Sequence, residues 1–193
     1  MTTVLSATTR RSAMRREEVP RALSGDSGSR ADVALERLYD EHYVRLVRLA
    51  VLLLRDTGRA EEIVQDAFVA VHQRWDRLAD ADLPAYLRQT VVNRSRSSLR
   101  HLRVVDRRRP AASPTAPGAD EPVLADDRRQ TVIEALWRLP RRQREVLALR
   151  YYLDLSEREI GETLQISQGA VKTHASRGAS ALRATLSGLQ EDR

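Results

Sequence analysis

Five side chains between residues 168 and 177 carry recognition chemistry: Gln168, Lys172, Thr173, Ser176 and Arg177. Amide, ammonium, hydroxyl and guanidinium groups are the donors and acceptors that pair with base edges and phosphates. Val171, Ala175, Gly178 and Leu182 recur at the spacing of one buried stripe, so these five fall together on the opposite side of a helix. His174 lies on the same helix and is read either as a further phosphate or base contact or as a solvent-facing histidine. Two other clusters have comparable content. Glu62, Gln65 and Asp66 make an acidic and amide patch suited to a basic surface, or simply a solvated helix face. Gln89, Asn93, Arg96, Arg100 and Arg103 follow at spacings of four, three, four and three, a continuous polar-to-basic stripe.

The first cluster is positioned by local signals. Ser156 followed by Glu159 is a capping box that starts a helix, with Ile160 and Leu164 on one face. Gln165-Ile166-Ser167 breaks the period, and Ser167 caps a second helix that opens at Gln168. A short braced helix showing polar and basic groups near its N-terminal half has the geometry of a helix-turn-helix that reads the DNA major groove.

The other clusters lie on helices of their own. Leu35, Leu38, His42, Leu46, Leu49 and Leu53 trace a stripe that predicts a first helix from near Val33, closing at Arg55-Asp56-Thr57-Gly58. A second runs from about Arg59 to Leu78, with Ile63, Val64, Ala67, Phe68, Val71, Trp75 and Leu78 inward. A third starts near Leu83-Pro84, with Leu87, Val91, Ser98 and Leu102 inward. From Leu83 to Arg109 there are eight arginines and one acid, Asp106, an imbalance that a phosphate backbone would neutralise. Residues 105–126, rich in proline, read as a flexible linker between domains, and residues 127–189 as a second helical group. Residues 1–31 read as a disordered basic arm, or as an unselected tail or a misplaced start codon. The expected fold is all-α: two small helical domains, 32–104 and 127–189, joined by the linker.

Composition narrows the function. The 193 residues hold 33 basic side chains, all but Lys172 arginine, with a net charge of +6. Charged residues are 31% and aromatics 4%, which suits small bundles of Leu, Val and Ala. With no cysteine, disulfides, thiolate metal sites and cysteine nucleophiles are excluded. His42, His72, His101 and His174 lack metal-ligand spacing, and no glycine-rich phosphate loop occurs. No cofactor, metal or small-molecule substrate is expected, nor an enzyme. No apolar run nears the roughly 18 residues of a membrane span, so membrane insertion is not expected and the cytoplasm is the expected location.

The order AEEIVQDAFVAVHQRW, LPAYLRQTVVNRSRSSLR, a Pro-rich linker and LPRRQREVLALRYYLDLSEREIGETLQISQGAVKTHASRGASALR resembles the sigma-70 superfamily of bacterial RNA polymerase specificity factors. It is most similar to the extracytoplasmic-function (ECF) group and its SigE-type subfamily, over roughly residues 34–188. The resemblance implies a sigma region 2 domain, then a region 4 domain, with core RNA polymerase and promoter DNA as partners. It implies that Glu62, Gln65 and Asp66 dock on the clamp coiled coil of the polymerase's largest subunit. Tyr86, Arg88, Gln89, Asn93, Arg96, Arg100 and Arg103 would serve the minus-ten element and its melting, next to a connector from Asp76 to Leu83 that captures a flipped base. Gln168, Lys172, Thr173, His174, Ser176 and Arg177 would read the minus-35 element. Trp75 and Tyr86 are open between core and base-stacking roles. The linker would permit an anti-sigma factor to mask both DNA-binding faces, but the sequence does not demonstrate such a partner. A two-domain regulator that never recruits polymerase is the rival reading, and it leaves the acidic patch without a task.

Overall fold

The computed structural model describes residues 24–78, 81–108 and 127–191, and every regular element among them is helical. Helix α1 spans Ser24–Leu54, α2 Thr57–Gln73, α3 Leu83–Arg108, α4 Asp127–Arg138, α5 Arg141–Leu147, α6 Glu157–Leu164 and α7 Gln168–Glu191. A 3-10 turn at Trp75–Arg77 follows α2, and a π-helical segment at Ala148–Tyr152 extends α5.

Helix α1 starts earlier than its apolar stripe predicts. Residues 24–31 of the expected disordered arm are helical, and Ala31 is buried one turn before Leu35. The helix thus runs through a stretch whose Ser and Gly content disfavours it. The remainder of the arm, residues 1–23, lies outside the described residues. At the other end the punctuating residue is Arg55, with a left-handed φ of 57°, and not Gly58, which sits in the first turn of α2. The Asp56 carboxylate caps α2 by accepting from the Arg59 amide at 2.9 Å.

The first three helices pack around Leu38, Leu46, Leu49, Leu53, Val64, Phe68, Val71, Leu87 and Val91. Tyr39 stacks on Tyr43 at 4.4 Å and meets the Phe68 ring edge at 5.1 Å. Trp75 and Leu78, expected inward, are half-buried against this core. Helix α3 ends at Arg108, so residues 105–108 of the expected linker are helical. Residues 109–126 lie outside the described residues.

The second group, α4 to α7, buries Ala135, Leu139, Val146, Leu147, Leu149, Ile160, Leu164 and Val171. Its interior is continuous with that of the first group: Val146, Leu149, Leu153, Ile160 and Leu164 belong to the same apolar cluster as Leu49, Leu87 and Val91. The two expected helical groups are therefore present but share one core. That sharing is a long-range property that helical periodicity does not register.

Candidate nucleic-acid and polymerase interfaces

The helix-turn-helix is built as its local signals predict. The Ser156 hydroxyl accepts from the Glu159 amide at 3.3 Å, and the Glu159 carboxylate accepts from the Ser156 amide at 2.9 Å. The Ser156 hydroxyl also donates to the Glu159 carboxylate at 2.6 Å, and this bond first, with that from the Ser156 amide second, holds the Glu159 carboxyl below its usual range. Helix α6 ends at Gln165, which takes a left-handed φ of 56°, and the Ile166 amide returns to the Gly161 carbonyl at 3.0 Å. A Cβ on Gly161 would lie 2.9 Å from the Ile166 carbonyl oxygen, so this turn closes only over glycine. The Ser167 hydroxyl accepts from the Ala170 amide at 3.2 Å and starts α7.

Helix α7 turns Val171 and Ala175 into the core and lays Gly178 against α5. A Cβ there would be 3.1 Å from Leu147 Cδ1. Gln168, Lys172, Thr173, Ser176 and Arg177 are exposed together on the outer face, and His174 is half-buried at its edge. Lys172 Nζ stands 3.6 Å from the Glu157 carboxylate, which Arg150 approaches from the other side at 3.4 Å. The Thr173 hydroxyl donates to the Gly169 carbonyl at 2.9 Å. Its proton is thus engaged, which leaves an acceptor oxygen and a methyl group for a ligand.

On α2, Glu62, Gln65 and Asp66 are exposed side by side. Arg94 of α3 donates to Asp66, a partner that sequence spacing could not announce because 28 residues separate the two. A shallow groove of about 330 Å³ runs between them, lined by Arg59, Glu62, Ile63, Asp66, Arg94 and Ser98 among others. Arg59 closes on Ser98 at 3.4 Å.

The stripe on α3 is divided by its surroundings. Asn93 and Arg100 are exposed, and Tyr86, Arg88 and Gln89 are half-buried. The side chain of Arg103 lies outside the described residues. Tyr86 accepts a hydrogen bond from Arg74 at 3.0 Å. Arg96, expected on the open face, is instead buried at 9% exposure, with Nε and Nη2 bonded to the two carboxylate oxygens of Glu145 at 3.0 and 2.9 Å. The second helical group covers this part of α3, so a residue placed outward by the period of its own helix becomes interior. Among the described residues no cluster of His, Asp and Glu could hold a metal ion, and no helix is long and apolar enough to cross a membrane.

Comparison with known proteins agrees with this geometry. Residues 38–104 match the family described as Sigma-70 region 2, and residues 129–182 match Sigma-70, region 4. The chain is 32% identical over 166 residues to the ECF RNA polymerase sigma factor SigL of Mycobacterium tuberculosis, covering 82% of this chain and 93% of that one. It is 32% identical over 157 residues to the RNA polymerase sigma-E factor of Streptomyces avermitilis, covering 78% and 87%. Among solved structures, the fold is similar to CnrH in complex with the cytosolic domain of CnrY, with a TM-score of 0.62, 23% identity, and 83% and 95% of the two chains covered. It is also similar to RpoE of Bartonella quintana in complex with the anti-sigma factor NepR, with a TM-score of 0.58, 20% identity, and 84% and 97% covered. Two family matches in the order of the two helical groups, with relatives matched along most of their length, identify the chain as a member of the sigma-70 superfamily, an ECF RNA polymerase sigma factor of transcription initiation.

Proposed function

We propose a division of labour among three surfaces. Glu62, Gln65 and Asp66 dock on a basic surface of core RNA polymerase, the exposed face of α7 reads the minus-35 element, and the polar side of α3 holds the strand released at the minus-ten element. The observation that carries this reading is one chain presenting an exposed acidic patch on α2 and an exposed donor-rich face on α7, served by separate helices. A regulator that only bound DNA would have no use for the first.

Opening the duplex costs about 1.4 kcal/mol per stacked step. Binding of the released strand must offset this, through phosphate contacts to Arg100 and its neighbours and through base contacts to Asn93 and Tyr86. Tyr86 is half-buried, and its hydroxyl is held by Arg74. The chain acts by binding and not as a catalyst, in the cytoplasm where polymerase works, without cofactor or metal. Its domains are assigned as 32–104 and 127–189. CnrH is bound to the cytosolic domain of CnrY and RpoE to the anti-sigma factor NepR, and a protein of the same kind is proposed as a partner here.

The test is transcription of bacterial genomic DNA by core polymerase supplemented with the chain, with transcript starts mapped. Starts that share paired upstream elements, and that vanish with Asn93→Ala and Arg100→Ala, are expected. Starts that do not depend on the chain would overturn the reading.

A further inference from the structure

His42 and Arg45 stand three residues apart on one face of α1, and Arg88 of α3 comes to meet them. The three line a cavity of about 80 Å³, and Leu46, Leu153 and Leu155 supply apolar walls. No acidic residue lines it. Asp154, between two of those leucines, is exposed, and Glu41, 75% exposed, lies 3.7 Å from His42 Nε2. Arg88 is within electrostatic reach of Glu159, but that carboxylate is already held by the Ser156 amide at 2.9 Å and hydroxyl at 2.6 Å. The Arg88 Nε–H is buried and has no hydrogen-bond partner among the described residues.

Two guanidiniums are permanently charged, and beside hydrocarbon walls their repulsion is screened less than in water. A buried donor on such a group calls for an acceptor. An anion with several oxygens answers both demands, because the guanidinium fork takes two oxygens at once in short, charge-assisted bonds, and the His42 imidazole adds a further N–H. Size narrows the choice. A buried water takes about 10–15 Å³ of such space, so the cavity holds roughly five waters, or the four oxygens of one phosphate. A phosphate within a DNA backbone carries a sugar on either side and is too large for it.

We propose that the cavity between His42, Arg45 and Arg88 is a binding site for a terminal phosphate group, either inorganic phosphate or the free end of a phosphomonoester. Arg88, expected to serve the minus-ten strand, is the central donor of this site. The bound anion neutralises the cationic side chains where α1 and α3 meet, so the stability of the chain follows the concentration of its ligand by linkage. The site is separate from the acidic patch on α2 and the outer face of α7, and does not depend on what those surfaces bind.

The test is titration of the full-length chain with inorganic phosphate at constant ionic strength set by sodium chloride, followed by phosphorus-31 line broadening and by thermal denaturation. Saturable broadening is expected, with a rise in melting temperature of about 3–6 °C at ten times the dissociation constant. Arg88→Gln and Arg45→Gln are each expected to weaken phosphate binding at least about tenfold. Arg37→Gln, an exposed change of equal charge elsewhere on α1, is expected to leave it unchanged. Displacement of phosphate by adenosine 5′-monophosphate, and not by adenosine, would show that the site admits a phosphomonoester; no displacement by either would assign it to inorganic phosphate. Absence of saturable broadening, or the same loss in Arg37→Gln as in Arg88→Gln, would reduce the effect to a general one of anions on a basic chain and overturn the site. Displacement by an unphosphorylated single-stranded 20-mer as strong as by its 5′-phosphorylated form would give the cavity to backbone phosphates and overturn the proposal as well. Should Arg88→Gln fail to fold, judged by far-ultraviolet circular dichroism, Arg45→Gln at the exposed rim decides.

Discussion

Arg94 of α3 donates to Asp66 of α2, so the acidic patch proposed to meet polymerase is already partly compensated by its own fold. Both side chains are exposed, at 40% and 55%, and such a pair is worth about 0–1 kcal/mol. A basic partner surface can displace Arg94 cheaply. Arg94→Gln is expected to tighten binding of core polymerase by at most about fivefold, as read by titration of a labelled chain. A loss of more than tenfold would make Arg94 itself a contact.

Lys172 and Arg177 are proposed to act on a different partner, the minus-35 duplex. Each good base contact contributes about 1–3 kcal/mol of discrimination. Lys172→Ala and Arg177→Ala should each weaken binding of the holoenzyme to a minus-35 duplex by roughly 5- to 150-fold, with core-polymerase affinity unchanged. Electrophoretic mobility shift on matched and scrambled duplexes reads the first, and a pull-down of core polymerase reads the second.

The capping box makes a stability prediction with a pH signature. Ser156→Ala should destabilise the chain by about 1 kcal/mol at pH 7. Glu159 has its folded pKa depressed by the bonds to Ser156, so its contribution is present above the unfolded value near 4.5 and is lost as pH falls through the folded value. The gap between Ser156→Ala and the unsubstituted chain in urea denaturation is therefore expected to narrow below pH 4.5 and to stay constant from pH 6 to 8.

Two glycines should separate by their surroundings. Gly161→Ala drives a methyl to 2.9 Å from the Ile166 carbonyl, a backbone atom that cannot yield without opening the turn. A loss of roughly 1–3 kcal/mol, with weakened minus-35 binding, is expected. Gly178→Ala meets the flexible end of Leu147 at 3.1 Å as well as the Gln143 Cβ at 3.2 Å. It should be milder and leave DNA affinity within about threefold once folded. Thermal denaturation ranks the pair.

Local chemistry made much of this readable in sequence. The Ser156 and Ser167 caps, the turn at Gln165 and the stripe of α7 each depend on residues within four positions of one another; the caps and turn are found where the spacing puts them, and of the stripe Val171, Ala175 and Gly178 are buried while Leu182 is half-buried. Arg96 shows the opposite case. Its helical period groups it with Asn93 and Arg100, yet α3 lies between two helical groups and buries a second face through Val92, Ser95 and Arg96. The carboxylate that accounts for it is 49 residues away. Likewise the left-handed residue after α1 is Arg55, although glycine is the usual occupant of that conformation and Gly58 stood nearby. Contacts between distant segments, and φ values held by packing, leave no periodic trace.

The most direct test of the account is a pull-down of bacterial core RNA polymerase by the purified chain, with Glu62→Ala/Asp66→Ala and Lys172→Ala/Arg177→Ala beside it. Polymerase retained by the unsubstituted chain and by the α7 variant, but lost with the α2 variant, is the predicted result. Equal loss in both variants, or retention in both, would contradict the separation of polymerase docking from promoter reading.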